Sequence, residues 1–223
     1  MTNLTQYSPR PIPGKSILTG SYVRLEPMDW DTHGTDLADT VTGEGNDDLW
    51  SYIAFGPFDN LDGLRNVMAY VAEQLGWQTM AIVRRSDNKT VGTASYMRIR
   101  PEHGSAELGC IMFSKELQRT AAATEAIYLM SSHLFDDLGY RRNEWKCDNS
   151  NNASKRAAAR FGFLYEGIFR NDLVVKGRNR DTAWFAMTDD DWPSIKAGFQ
   201  KWLSPVNFDA DGEQKKSLRN SRS

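Results

Sequence analysis

Apolar and polar positions change period several times along the 223-residue chain, and each change marks an element. Tyr22, Val23 and Leu25 interleave with Arg24 and Glu26, which predicts a first strand over residues 21–27. Asp29 or Asp31 is placed to cap a helix running to about Val41. Leu61, Leu64, Val67, Met68, Val71 and Leu75 recur at helical spacing, so an amphipathic helix follows over residues 60–76. Residues 80–84 and 91–100 alternate as two strands, and Ser86-Asp87-Asn88-Lys89 between them is hairpin-turn chemistry. A turn over 101–104 leads into a central strand, Ala106 to Phe113, and then a helix from Thr120 to about Leu138 that Gly139 stops. A short strand at 143–147 precedes a helix carrying Ser154, Ala157, Ala158 and Phe161 and ending at Gly162. Strands at 163–170 and 181–187 flank a charged turn with Lys176, Gly177, Arg178, Asn179 and Arg180. A last helix over 189–202 carries Trp192, Ile195, Phe199 and Trp202.

This order predicts an α+β fold: a mixed sheet of about seven strands flanked by helices, antiparallel at first and parallel where the central strand crosses over through the helix after Thr120. The domain spans 21–203. Residues 1–20, with Pro9, Pro11 and Pro13, read as an extended arm on the surface or against a neighbour. Residues 204–223 are polar and expected to fray. Residues 43–60, rich in Gly, Asp and aromatics that include Trp50 and Tyr52, are either a loop stapled to the core or a wall of a substrate pocket.

Composition narrows the function classes. A net charge of −2 gives no whole-molecule attraction to nucleic acid or anionic membrane, so neither is expected as a partner. No apolar run approaches the roughly 18 residues of a membrane span. Cys110 and Cys147 lie in strand-like runs of a chain with no leader pattern, which predicts reduced thiols in a cytoplasmic protein, either monomer or homodimer. His33 is expected to face solvent, His103 to sit in a turn and His133 to be an ordinary helix residue; no metal-ligand spacing is present.

Chemistry is concentrated in residues 106–125, where a strand passes through a short polar turn into a helix that opens on small residues. The first N–H groups of a helix lack intrahelical partners and sit at the positive end of its dipole, which suits a phosphate. Ala121, Ala122 and Ala123 let such a group approach the backbone. Gln118-Arg119-Thr120-Ala121-Ala122-Ala123 resembles the Gln/Arg-x-x-Gly-x-Gly/Ala loop of GNAT acetyltransferases, and Ala123-Thr124-Glu125-Ala126 is similar to their Rim-type, ribosomal-protein N-terminal acetyltransferase-like branch. Asn151-Asn152-Ala153-Ser154, followed by Phe161-Gly162-Phe163, resembles a second stretch of the family, and Lys176-Gly177-Arg178-Asn179-Arg180-Asp181-Thr182 a third.

The resemblance implies acetyl-CoA as co-substrate, seated between splayed fourth and fifth strands. Its contacts would come from Ile111, Met112, Phe113, Gln118, Arg119, Thr120, Ala121, Ala122, Ala123, Thr124, Asn151 and Ser154. It also implies acetyl transfer to an amine, small or a protein N-terminus, without a metal; a weakly catalytic acetyl-CoA sensor is the other reading. Asn151 is either a pantetheine contact or only a helix cap. Gly109 permits a bulge that frees N–H groups for the thioester, and Glu107 is either the base acting through water or a strand residue. Cys110 reads as a small residue of the pocket or core. The family's usual Tyr general acid is replaced by Ala158. Trp50, Tyr52, Cys110, Arg178 and Arg180 are the substrate-side candidates, the two arginines being either a solvated hairpin tip or a reader of an acidic group.

Overall fold

The computed structural model describes residues 4–222. Eight strands form one sheet, because Leu18–Thr19 (β1) adds a two-residue edge to Val23–Pro27 (β2). The remaining strands are Gln78–Arg84 (β3), Thr90–Arg100 (β4), Ser105–Phe113 (β5), Arg142–Asp148 (β6), Leu164–Val175 (β7) and Arg178–Thr188 (β8). Their spatial order is β1-β2-β3-β4-β5-β6-β8-β7, antiparallel throughout except for the parallel pair β5–β6. The helices are Trp30–Val41 (α1), Leu61–Leu75 (α2), Ala121–Ser132 (α3), Asn152–Phe161 (α4) and Trp192–Leu203 (α5).

β5 divides the core in two, and its faces exchange where its register with β4 shifts between Gly109 and Met112. Ala106 and Leu108 face a large cluster with Ile127 and Met130 of α3, Phe161 of α4 and Phe199 of α5. Met112 faces a smaller cluster with Leu37 of α1 and Leu64 and Met68 of α2. Nothing from β6, β7 or β8 joins that second cluster, so α1 and α2 cover only part of their face of the sheet.

Capping residues act where the polar spacing puts them. Asp29 Oδ1 accepts the N–H groups of Asp31 and Thr32 at the start of α1, and Asn60 Oδ1 that of Gly63 in α2. Gly76 and Gly162 end α2 and α4 in the left-handed conformation, with φ of 66° and 104°.

Four expectations are corrected. His33 is buried at 4% exposure, accepting Asp29 N–H at Nδ1 (3.1 Å) and facing Glu26 Oε2 from Nε2 (3.3 Å). The turn between the last two strands is only Lys176-Gly177, both with positive φ (49° and 73°), the geometry of a tight hairpin turn; Arg178 and Arg180 are therefore strand residues. The last helix starts at Trp192, after Asp191 Oδ2 accepts Thr188 N–H at 2.9 Å. The polar end does not fray: Leu218 is fully buried, and Asn207 bonds Trp202 O, Lys216 O and Lys216 N at 3.0–3.2 Å. The arm lies on the protein's own surface, with Arg10 N–H on Pro101 O (3.1 Å) and Tyr140 Oη donating to Pro11 O (3.0 Å).

α3 is fixed to the sheet edge by Glu125, a buried carboxylate accepting the backbone N–H groups of Ser21, Tyr22 and Val23 at 2.7, 2.6 and 2.9 Å. A Cβ on Gly20 would stand 2.3 Å from its Cδ, so only glycine lets the chain pass. Glu125→Ala strands three donors at once. With each unmet buried group costing about 1–3 kcal/mol, the loss in urea unfolding is expected to be roughly 3 kcal/mol or more. A loss under about 1 kcal/mol would show that water replaces the carboxylate.

Candidate active site

β5 and β6 pair only over Ser105↔Arg142, Ala106↔Asn143 and Glu107↔Glu144. Past Glu107 the strands part: β5 stays with β4 to the Phe113↔Gly92 pair, and β6 stays with β8 to Asp148↔Thr182. The sheet opens there into a notch at its centre. A bulge bends β5 at the same level, because Ser95 pairs with Gly109 and Thr93 with Met112, leaving Cys110 and Ile111 opposite Ala94. The bulge falls beside Gly109 as expected, and its left-handed residue is Cys110, with φ of 44°. Gly109 is required for space: a Cβ there would lie 2.5 Å from Met97 Sδ and 2.8 Å from Glu107 Oε1.

The opening of α3 lies beyond the end of β5. Arg119 turns the chain with φ of 63°, and Thr120 Oγ1 caps the helix by accepting Ala123 N–H at 3.1 Å. Gln118 Nε2 donates to Phe113 O at 3.0 Å, holding the connecting turn against the strand. The N–H groups of Arg119, Ala121 and Ala122 have no partner among the described residues. Three orphan donors at a helix start, beside two half-buried alanines, make an anion cradle that fits a pyrophosphate.

Ala123 and Thr124 are buried instead. Thr124 Oγ1 accepts from Arg160 Nη1 at 3.0 Å, joining α3 to α4. Asn151 caps α4 through Oδ1 on Ser154 N–H (2.9 Å), which leaves its side-chain N–H₂ unpartnered among the described residues. Ser154 Oγ accepts from Trp145 Nε1 at 2.9 Å.

Glu107 sits at the apex of the notch, 2% exposed, on the sheet face that α1 and α2 leave open. Its Oε2 is 3.5 Å from Lys146 Nζ and 3.7 Å from Arg98 Nε. Burial raises its pKa from an ordinary 4.5 to about 7 against the opposing pull of Lys146 and Arg98, with Glu144 adding to the rise. Glu144 itself is held by Arg100 Nη2 at 2.6 Å and Arg142 Nε at 2.8 Å. The Cys110 thiol is pushed up to about 12, mainly by burial, so it remains protonated and packs against the α1/α2 cluster.

A cleft of about 380 Å³ lies across β6, β8 and β7, with Arg98, Lys146, Phe169, Asp172 and Trp184 in its wall; Glu107 does not line it but faces two of its cations, Arg98 and Lys146. Trp50, Tyr52, Cys110, Arg178 and Arg180 do not line it. Trp50 is a core residue, 1% exposed, its indole donating to Val41 O at 2.7 Å. Tyr52 Oη donates to Ser150 O at 3.5 Å, and Arg180 Nε to Thr182 Oγ1 at 3.3 Å. Arg178 is exposed at the hairpin end. Sequence reasoning missed Arg98, Lys146 and Trp184. The signal available was the alternation Arg142, Glu144, Lys146 against Asn143, Trp145, Cys147, a charged face on a mid-sheet strand. A second cavity, about 390 Å³ between the arm and α2, is lined by Met28, Trp30, Met68 and Trp77, with Lys15 as its one ionisable residue. It offers no acid–base pair.

Residues 24–164 match the model of the acetyltransferase (GNAT) domain. The chain belongs to the GNAT family of N-acetyltransferases. A GCN5-related N-acetyltransferase from Brucella melitensis has a crystal structure that superposes with a TM-score of 0.93 at 41% identity, covering 98% of this chain and 99% of that one. "Uncharacterized N-acetyltransferase YoaA" of Bacillus subtilis is 31% identical over 45% of this chain, and "Putative ribosomal N-acetyltransferase YdaF" of the same organism 26% identical over 49%. The matched regions span 56% and 60% of those two relatives. The observed sheet and its flanking helices are the fold that the motif resemblance implied. No helix among the described residues is long and apolar enough to cross a membrane, and no group of three His, Cys, Asp or Glu among them could hold a metal.

The raised pKa of Glu107 fixes a sign for stability. Between about 4.5 and 7 the folded protein binds a proton that the unfolded chain has released, so this residue costs stability as pH rises through that window and adds no further change above it. The difference in unfolding free energy between the parent and Glu107→Gln is expected to slope over pH 4.5–7 and flatten beyond. A difference that is level across the window in paired urea titrations would place the pKa at its ordinary value.

Proposed function

We propose that this chain transfers an acetyl group from acetyl-CoA directly to a primary amine. The observation that carries the proposal is the notch, with three unpartnered N–H groups at one end and a buried carboxyl of pKa about 7 at the other. The pyrophosphate would rest on Arg119, Ala121 and Ala122, and the pantetheine arm would run between β5 and β6 past the Asn151 amide toward Glu107. Acetyl-CoA supplies the activated carbonyl. The amine nitrogen bonds to that carbonyl carbon, its proton passes through water to Glu107, and the C–S bond breaks with its electron pair on sulfur. A base of pKa near 7 suits this role at neutral pH, since it is then partly ionised and still basic enough to take the proton. Lys146 and Arg98 also disfavour a second positive charge at this point, which favours an amine arriving neutral.

The thiolate leaves without a side-chain acid, because Ala158 is fully buried and the Cys110 thiol packs with the α1/α2 cluster. Ala158 is also the observation that favours the other reading, a weakly catalytic acetyl-CoA sensor. The acceptor is a small amine or a protein N-terminus, and the name of the YdaF relative is the reason to include N-terminal peptides. We place the protein in the cytoplasm, as a monomer or homodimer.

Release of free thiol from acetyl-CoA against a panel of amines and N-terminal peptides tests the reaction, and binding without release on any of them would establish the sensor. Ala122→Asp sets a carboxylate at the cradle and is expected to raise the acetyl-CoA dissociation constant at least about tenfold, roughly 1.4 kcal/mol. An unchanged constant in the folded variant would move the phosphates elsewhere. Glu107→Gln is expected to keep acetyl-CoA affinity and lower turnover by roughly 10². That deficit narrows as pH rises, because more of the amine then arrives deprotonated. A pH–rate profile equal to the parent's in height and shape would give the proton to another group.

A further inference from the structure

We propose that the inner end of the cleft reads an acidic group carried by the acceptor beside its amine, with Arg98 and Lys146 as the readers and Trp184 as their support. This deepens the acetyl-transfer reading above and rests on it. Three cations and three carboxylates line the cleft, with Arg100 and Glu107 paired to them from beside it, but they are not paired evenly. Arg142 takes Glu166 through both its terminal nitrogens and, with Arg100, also takes Glu144. Those pairs commit both arginines, although Arg100 Nε and Glu144 Oε2 stay buried without a hydrogen-bond partner among the described residues.

Arg98 and Lys146 are left over. Arg98 approaches carboxylates only through Nε, at 3.7 Å to Glu107 and 3.8 Å to Glu144, both beyond hydrogen-bond distance. Its guanidinium lies 5.0 Å from the Trp184 ring centroid, with both terminal nitrogens unpartnered among the described residues. Arg98 also holds φ of 44°, in the left-handed region, where β4 slips register between Met97 and Arg100, so the backbone is turned to present this side chain. The Lys146 ammonium is 18% exposed, 5.3 Å from the same ring, and its one carboxyl neighbour is Glu107 at 3.5 Å. The indole N–H of Trp184 is buried without a partner.

The free donors here are the terminal nitrogens of Arg98, the Lys146 ammonium and the Trp184 indole N–H, and the unpartnered oxygens facing them are Oε2 of Glu107 and of Glu144, neither within hydrogen-bond distance of Arg98. The remaining carboxylate of the wall, Asp172, stands on the outer strand β7 and makes no ion pair with either cation. A carboxylate with two acceptor oxygens, seated between Arg98 and Lys146, would take up the free terminal nitrogens of Arg98 and the Lys146 ammonium and hold the adjacent amine in front of Glu107. Arg178 and Arg180, read from the sequence as either a solvated hairpin tip or such a reader, do not line this cleft, and the reader proposed here comes from β4 and β6.

The test compares matched acceptors differing only in charge: amino acids against their carboxamides, and peptides with a second-position Asp against Asn. The first set detects a terminal carboxylate and the second an acidic side chain. In at least one set kcat/KM from thiol release is expected to favour the acid by about tenfold or more, and Arg98→Met or Lys146→Met should bring that ratio toward one. The same preference should appear in calorimetric binding of the N-acetylated products to the protein with coenzyme A, which needs no turnover. Thiol release with equal use of acid and neutral partners would overturn the acid reader while leaving the acetyltransferase intact. Absence of release together with tighter binding of the acidic products would do the reverse. Products that bind equally, or not at all, would also overturn it.

Discussion

The parting of β5 from β6 organises this molecule. A parallel pair in the middle of a sheet ordinarily satisfies both backbones along its length, so ending it after three residue pairs leaves N–H and C=O groups of both strands facing a gap. The gap persists because each strand is held from its other side. β6 keeps seven consecutive pairs with β8, and β5 keeps β4 as a partner on both sides of its bulge. Two intact half-sheets meet at a hinge of three pairs, and Glu107 closes the last of them. A thread-like ligand rich in amides matches such a gap, since it can meet both strand edges while passing through.

Electrostatics at the hinge are set by packing before they are set by charge. Glu107 has two cations within 4 Å, and its pKa still rises because burial outweighs them. Glu144, one strand over, has hydrogen-bonded arginines and serves to anchor them. Two carboxylates paired across neighbouring strands thus sit in different settings: burial makes one easier to protonate, and two arginines hold the other by hydrogen bonds.

Most of the scaffold was legible in the sequence because its signals are local. Caps at Asp29, Asn60, Thr120 and Asn151, glycine stops at 76 and 162, and the small residues after Arg119 each act within a few residues of themselves. The strand-turn-helix that opens α3 could be read for the same reason. What escaped depends on partners far along the chain. His33 is buried because Glu26 and the Asp29 backbone meet it, and the tail is ordered because Asn207 bridges Trp202 to Lys216. Arg98, Lys146 and Trp184 become neighbours only through the order β4-β5-β6-β8, which places the last strand of the chain inside the sheet and β7 outside it. Period-two alternation shows that Lys146 shares a face with Glu144, but not which aromatic ring lies beside it.

That inversion gives the cleft an uneven frame. Its inner wall belongs to strands with neighbours on both sides, whereas its outer wall is β7, whose sole ladder is to β8 and whose Tyr165, Ile168, Phe169 and Val174 are 41–82% exposed. Bulges interrupt even that ladder, between Tyr165 and Gly167 and between Phe169 and Leu173. Resistance to widening is therefore directional: outward displacement of β7 sacrifices one interrupted ladder, while displacement of β6 would tear a continuous one. The fold thus keeps the β6 side of the cleft stiff and leaves the size of what enters to be set by its most yielding strand.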